Sequence, residues 1–270
     1  MKTTSIIRTA VAAAVLYEAL ASAQSFTYNN GDLLAAFRKP GSSYDLIVDL
    51  GSASVYQNAT YGGPAINISG VDSALLTSVF GSMDGIYWSV FGYVNTAGSP
   101  LGPQRMIWVT DPRSELYTQN DPNSSLTYNG QGATISKMGA IVDAATSTAW
   151  GETVLANQIV EFSSSLNVGG DPASYTIGVG TFGDFRGTWA PGIENLTPSG
   201  FASSSTPEGS DLFQQNPGAA NTGDFLGRVQ LNNNGTLEFF PVPEPSTWAM
   251  FGAGMLLLVS SFRRKQANNI

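Results

Sequence analysis

The acid–base chemistry open to this chain rests on carboxylates, because its 270 residues include neither histidine nor cysteine. Ser-His-Asp and Cys-His nucleophile arrangements are thereby excluded, and so are the usual His/Cys zinc sites. Lys, Tyr and Ser are the other groups left. Asp45 and Asp49, in the run YDLIVDLGS, share one face of a strand. They lie about 13 Å apart at roughly 3.3 Å per residue, whereas the paired carboxyls of a glycosidase sit about 5–9.5 Å apart. As partners they fail and read as solvated surface, although each could meet a carboxylate from elsewhere, such as Asp84 or Glu161. Asp111-Pro112, Asp121-Pro122 and Asp171-Pro172 read as turn starts, since the Asp side chain bonds nearby backbone and proline fixes the next φ. Such acidic turns could attract calcium, but no Asp-x-Asp-x-Asp-Gly run is present. No metal site, catalytic residue or cofactor is assigned.

Aromatic residues are the other chemistry-bearing group. Tyr87-Trp88, Trp108, Trp150 and Trp189 could form a stacking platform for sugars, but aromatics in strands bury the largest apolar area and belong first to a core. Trp88 and Trp108 read as core. Trp189, inside the glycine-rich stretch 187–192, fits a core position or a glycan-stacking position equally well. Five Asn-x-Ser/Thr sequons occur, at Asn58, Asn67, Asn123, Asn195 and Asn234, and reflect a composition rich in Asn, Ser and Thr.

These residues are carried on short strands. Leu46, Val48 and Leu50 alternate with Asp45, Ile47 and Asp49, which puts the first three toward a core and both aspartates opposite. Turn signals at Asn30-Gly31 and Pro40-Gly41 bracket strand-like runs, and further strands are predicted over 85–94, 105–110, 159–166, 174–180, 225–231 and 236–240. Two stretches read as helices. Val71 to Gly81 has Asp72 or Ser73 as N-cap and a glycine stop; 136–145 is a weaker pattern. Thr197 to Gly223, dense in Ser, Pro, Gly and Asn, reads as a long mobile loop. The echo between 181–187 and 222–227 is too slight to make a repeat architecture. Many short strands and few helices predict a mainly β body, an antiparallel sandwich or jelly-roll with one or two short helices.

Charged residues make up 12% of the chain, against about 25% for an average soluble domain. Five of the 12 basic residues (Lys2, Arg8, Arg263, Arg264, Lys265) and 2 of the 20 acidic ones (Glu18, Glu244) lie in the terminal segments, leaving 7 bases against 18 acids in the body. That surface repels phosphate backbones, and nucleic acid is excluded as a partner.

Both ends carry a different kind of signal. Lys2 and Arg8 precede an apolar stretch from Ala10 to Leu16, and the small residues Ala21 and Ala23 follow. This is the pattern of a secretory signal peptide over 1–23, cut between Ala23 and Gln24, with Glu18 as an irregularity. At the other end the apolar run from Thr247 to Phe262 would reach about 24 Å as a helix, short of a hydrocarbon layer of about 30 Å unless flanking residues contribute. Arg263, Arg264 and Lys265 would stay on the cytoplasmic side. Three consecutive charges disfavour a buried core helix, and Pro243 and Pro245 detach the run from what precedes it.

Val242-Pro243-Glu244-Pro245, an apolar segment and a basic cluster, in that order, resemble the PEP-CTERM sorting signal of Gram-negative bacteria, a module also named the ice-binding protein C-terminal domain. The resemblance implies that Pro243, Glu244 and Pro245 form the recognition element of an exosortase. It further implies a tail over 242–270 that is a temporary transmembrane anchor in the inner membrane, removed as the body moves to the envelope or exopolysaccharide. FTYNNGDLLAAFR, DLIVDLGS, LLTSVFG followed by GIYWSVFGYV, and NNGTLEFFPVPEP also resemble a body that recurs with this tail, which brings no activity with it.

The reading is therefore an exported, non-enzymatic envelope or matrix protein with a β-rich domain over 24–241. A carbohydrate-binding module using exposed aromatics is the alternative. A carboxylate-dependent glycan hydrolase lacks its facing pair. Ice binding lacks ranked threonines, since Thr146-Ser147-Thr148 stands alone.

Overall fold

The computed structural model describes residues 26–42, 44–120, 128–146, 153–156, 159–163, 193–218 and 223–241. The predicted signal peptide, the strand over 174–180, Asp121-Pro122, Asp171-Pro172, Trp150, Trp189 and the sorting tail lie outside them.

Within these residues the chain runs β1 (Asp32–Arg38), β2 (Tyr44–Ser52), a single-turn α1 (Ser54–Gln57), β3 (Ile66–Ile68), α2 (Ser73–Phe80), β4 (Tyr87–Tyr93) and β5 (Ile107–Pro112). There follow α3 (Tyr128–Thr146), β6 (Thr153–Ala156), β7 (Ile159–Ser163), β8 (Asn195–Leu196), β9 (Glu208–Gln215), β10 (Asp224–Leu231) and β11 (Leu237–Phe240). The strands pair antiparallel in one continuous sheet, ordered β3-β11-β10-β9-β5-β4-β1-β2-β7-β6, with β8 added beside β4. The sheet curls into a nearly closed barrel, so the predicted mainly β, antiparallel class is what the chain adopts.

Period-two alternation builds two cores on the two faces. Leu33, Ala35 and Phe37 of β1, Leu46 and Val48 of β2, Trp88, Trp108, Leu212, Val229, Leu237 and Phe239 join in one cluster inside the curl. Leu34, Ala36, Ile47, Phe91, Ile107 and Val109 point the other way and meet Ile135, Met138, Ile141 and Ala145 of α3. Every residue of β1 is therefore buried, which is why DLLAAFR reads as an almost unbroken apolar run instead of an alternating one. Trp88 and Trp108 are fully buried, as their placement in strands predicts.

Helix α2 matches its sequence signals. Asp72 caps it by accepting from the Leu75 N–H, and Gly81 ends it in the left-handed region at φ 75°. Leu76 and Phe80 enter the inner core. The β10–β11 turn sets the N-terminus of α2: Asn234 O accepts from Ser73 N. A Cβ on Gly235 would meet Ser73 N at 2.2 Å, and its φ of +82° also demands glycine.

Three expectations are corrected. The stretch 197–223 is no long loop: it contains β9, which pairs β5 on one side and β10 on the other. Its polar residues mislead because several are buried and bonded within the sheet. The Asp45 face is not solvated, because α3 and its cluster cover that side of β1 and β2; α3 itself spans 19 residues and starts a full two turns before the predicted pattern. Asp111-Pro112 is the end of β5, in register with Asp211 and Ser210 of β9, and starts no turn within the sheet.

Candidate functional site

A cleft of about 390 Å³ opens where the segment following β5 passes the segment leading into β9. One wall is Arg113 to Thr118 and the other is Ser205 to Gly209. The first wall is held by β9. Asp211, fully buried, accepts from Arg113 Nε at 2.6 Å through Oδ1 and from the Asn120 N–H at 2.7 Å through Oδ2. Arg113 Nη2 also contacts Oδ1. Asn120 Nδ2 donates back to Pro112 O at 2.8 Å, which closes 112–120 into a loop with both ends fixed to the sheet.

The middle of that loop is pinned from below. Leu116 O accepts from Arg113 Nη1 at 2.7 Å and from Arg228 Nη1 of β10 at 3.1 Å. Gly209 makes room for the loop: a Cβ there would come within 2.7 Å of Leu116 Cδ1. Tyr117 is left at the rim, 82% exposed, with the Arg228 guanidinium 5.2 Å from its ring centre. On the far wall, Ser204 Oγ accepts from Thr206 N and shapes the turn before β9. Burial pushes the Glu208 carboxyl upward. It pushes Asp211 upward as well, opposed by the Arg113 hydrogen bond, the Asn120 N–H and the nearby guanidinium charges. Arg228 is lowered by burial and by the like charge of Arg113.

A second buried charge centre lies on the α3 face. Arg38 forms a two-point pair with Glu194, Nε to Oε1 at 2.7 Å and Nη2 to Oε2 at 2.6 Å, with side chains 6% and 4% exposed. Its guanidinium also lies 4.2 Å from the centre of the Tyr87 ring. One pair beyond Phe37–Leu46 in the β1–β2 register stands Asp45, with no exposure and no hydrogen-bond partner for either carboxyl oxygen. Burial pushes Asp45 up to about 8; the Arg38 charge opposes this and the Glu194 charge adds to it.

The two predicted aspartates thus separate in role. Asp49, half-buried, accepts from the Gly51 N–H at 2.7 Å and is pushed up to about 6, chiefly by burial. Of the carboxylates considered as their partners, Asp84 instead accepts from Phe201 N. No group of three or more metal-ligating side chains occurs among the described residues. Trp189, the predicted glycan-stacking residue, lies outside the described residues, and the exposed aromatic beside a cleft is Tyr117. Sequence reasoning missed Arg113, Tyr117, Asp211 and Arg228. Within 208–215, EGSDLFQQ, only the adjacent Leu212 and Phe213 are large and apolar, so no alternation marked a strand there.

The body and the tail meet abruptly. Pro241, one residue past β11, is tied to the sheet by its carbonyl, which accepts from Gly62 N at 2.9 Å. No described helix is long and apolar enough to cross a membrane. Comparison with curated proteins and with solved structures gives no match for this chain. Residues 241–265 match the family model of the PEP-CTERM protein-sorting motif, which supports an exported protein that an exosortase sorts and that the membrane holds transiently. The chain thus carries a PEP-CTERM protein-sorting motif over 241–265, which begins one residue past the last strand of the barrel.

Proposed function

We propose that this protein is a non-enzymatic component of the cell envelope or extracellular matrix, delivered by a signal peptide over 1–23 and released when an exosortase processes the tail at Pro243–Pro245. The observation that carries the reading is the junction. The last strand stops at Phe240, Pro241 is bonded into the barrel, and the sorting motif starts at residue 241. Processing there would leave every strand pairing among the described residues intact. Of the buried carboxylates, Asp211 organises a loop and Asp45 is sealed from solvent, so neither is offered to a substrate.

Fractionation of the native host tests the proposal. The body is expected in the envelope or medium, lacking the tail. Full-length protein in the cytosol would contradict it. A carbohydrate-binding role is the second reading, favoured by Tyr117 standing exposed beside a polar cleft.

A further inference from the structure

The loop 113–118 presents a large aromatic ring to water while Arg113, Asp211 and Arg228 hold the loop in place. Three constraints act on the eight residues 113–120: Asp211 takes Arg113 and the Asn120 N–H, Leu116 O takes both guanidiniums, and Gly209 leaves the space the loop fills. Folding alone gains nothing from leaving Tyr117 82% exposed, since burial of an aromatic is among the largest apolar contributions available. A rigid, preorganised aromatic beside a concavity loses little entropy when something docks on it. The cleft volume of about 390 Å³ falls in the range of about 300–1,000 Å³ usual for ligand sites.

The chemistry of the walls narrows the ligand. An anion is disfavoured because Glu115 and Glu208 line the cleft, and both guanidiniums are already bonded to Asp211 or to Leu116 O. A cation is disfavoured because the Tyr117 ring already has Arg228 against it, and a second positive charge on that ring would meet the first. A wholly apolar ligand would leave the hydroxyls of Ser205 and Thr206 and the two carboxylates without water or a partner. A neutral polyhydroxylated ring satisfies all of them. Its C–H face lies on the aromatic ring, and its hydroxyls bond to carboxylate and hydroxyl oxygens.

We propose that the cleft between 113–118 and 205–209 is a binding site for a neutral glycan, with Tyr117 as the stacking platform and Glu115, Glu208, Ser205 and Thr206 as hydrogen-bonding groups. The site deepens the carbohydrate-binding reading. That such a glycan would be met outside the cell rests on the export reading.

The test uses the full chain in mild detergent. Affinity electrophoresis is run against four soluble neutral polysaccharides, an α-glucan, a β-glucan, a mannan and a galactan, alongside a polyuronate and a glucosamine oligomer as charged controls. At least one neutral polysaccharide is expected to retard the protein. Tyr117→Ala should weaken that interaction tenfold or more at an unchanged melting temperature, while Tyr117→Phe retains it and Tyr44→Ala, at another exposed tyrosine, leaves it unmoved. Retardation by none of the neutral polysaccharides, binding confined to the charged controls, or binding indifferent to Tyr117→Ala would each overturn the assignment. None of those results touches the export reading, which is decided by where the protein is found and whether its tail is cut.

Discussion

Asp45 of β2 and Asp211 of β9 belong to one sheet, with β5, β4 and β1 between them, and both are without solvent exposure, yet their surroundings answer the charge in different ways. Asp211 receives a guanidinium and a backbone N–H. Asp45 has neither, because the nearest guanidinium, Arg38, is already held at two points by Glu194. Burial raises both carboxyls, but only Asp211 has donors that favour its ionised form. The contrast separates two uses of a buried carboxylate. One anchors a loop as an anion and so shapes a cleft; the other is accommodated mainly as the neutral acid and makes stability depend on pH.

Asp211→Ala should have the largest effect. Arg113, 4% exposed, would remain buried without its partner, a loss of about 3–5 kcal/mol. Urea unfolding measures the loss, and hydrogen exchange should show 113–120 opening with it.

Asp45→Asn acts in the opposite direction. The folded-state value of about 8 lies above the ordinary 3.8, so this group's contribution is full below about pH 4 and is lost as pH rises to about 8. The variant should therefore match the parent near pH 4 and exceed it at pH 8 by on the order of 2–4 kcal/mol. Paired unfolding curves at the two pH values check this. Equal stability of variant and parent at pH 8 would mean that Asp45 is held as an anion after all.

Gly209→Ala sharpens the contrast on the cleft side. Its Cβ would press on Leu116 Cδ1 at 2.7 Å, and the loop must shift at an expense of about 1–3 kcal/mol, read as a lowered urea midpoint. The smallest stability effect is at Tyr117, where replacement by alanine should move stability by no more than about 0.5 kcal/mol, because the ring is 82% exposed and its one charged neighbour, Arg228, stays bonded to Leu116 O.

The elements positioning these sites were unequally legible in the sequence. Helix α2 was readable from Asp72 and Gly81 because capping is local chemistry, and β2, β4 and β10 from alternation and aromatic content. Strand β9 was not, because Glu208, Ser210, Asp211, Gln214 and Gln215 give it the composition of a loop. Their pairing with β5 and β10 is a long-range fact that no short window contains. The burial of Asp45 was hidden for the same reason: one face of β2 looks polar until α3, some 80 residues later, covers it. The sorting motif, by contrast, was legible because such a signal is read by another protein as a linear segment, and the family match over 241–265 agrees. The cleft depended on Arg113, Asp211 and Arg228 converging from three strands or their ends, and it needed the fold.

The barrel is proposed to be an exported body from which the tail is cut. Intact-mass spectrometry of the protein recovered from the host's cytosol, membrane and medium, with and without exosortase activity, tests it most directly. The predicted result is a mature chain starting at Gln24 and ending near Pro243–Pro245 outside the cytosol, replaced by a membrane-bound, tail-bearing form when exosortase is absent. A full-length, 270-residue chain in the cytosol, unchanged by loss of exosortase, would contradict it.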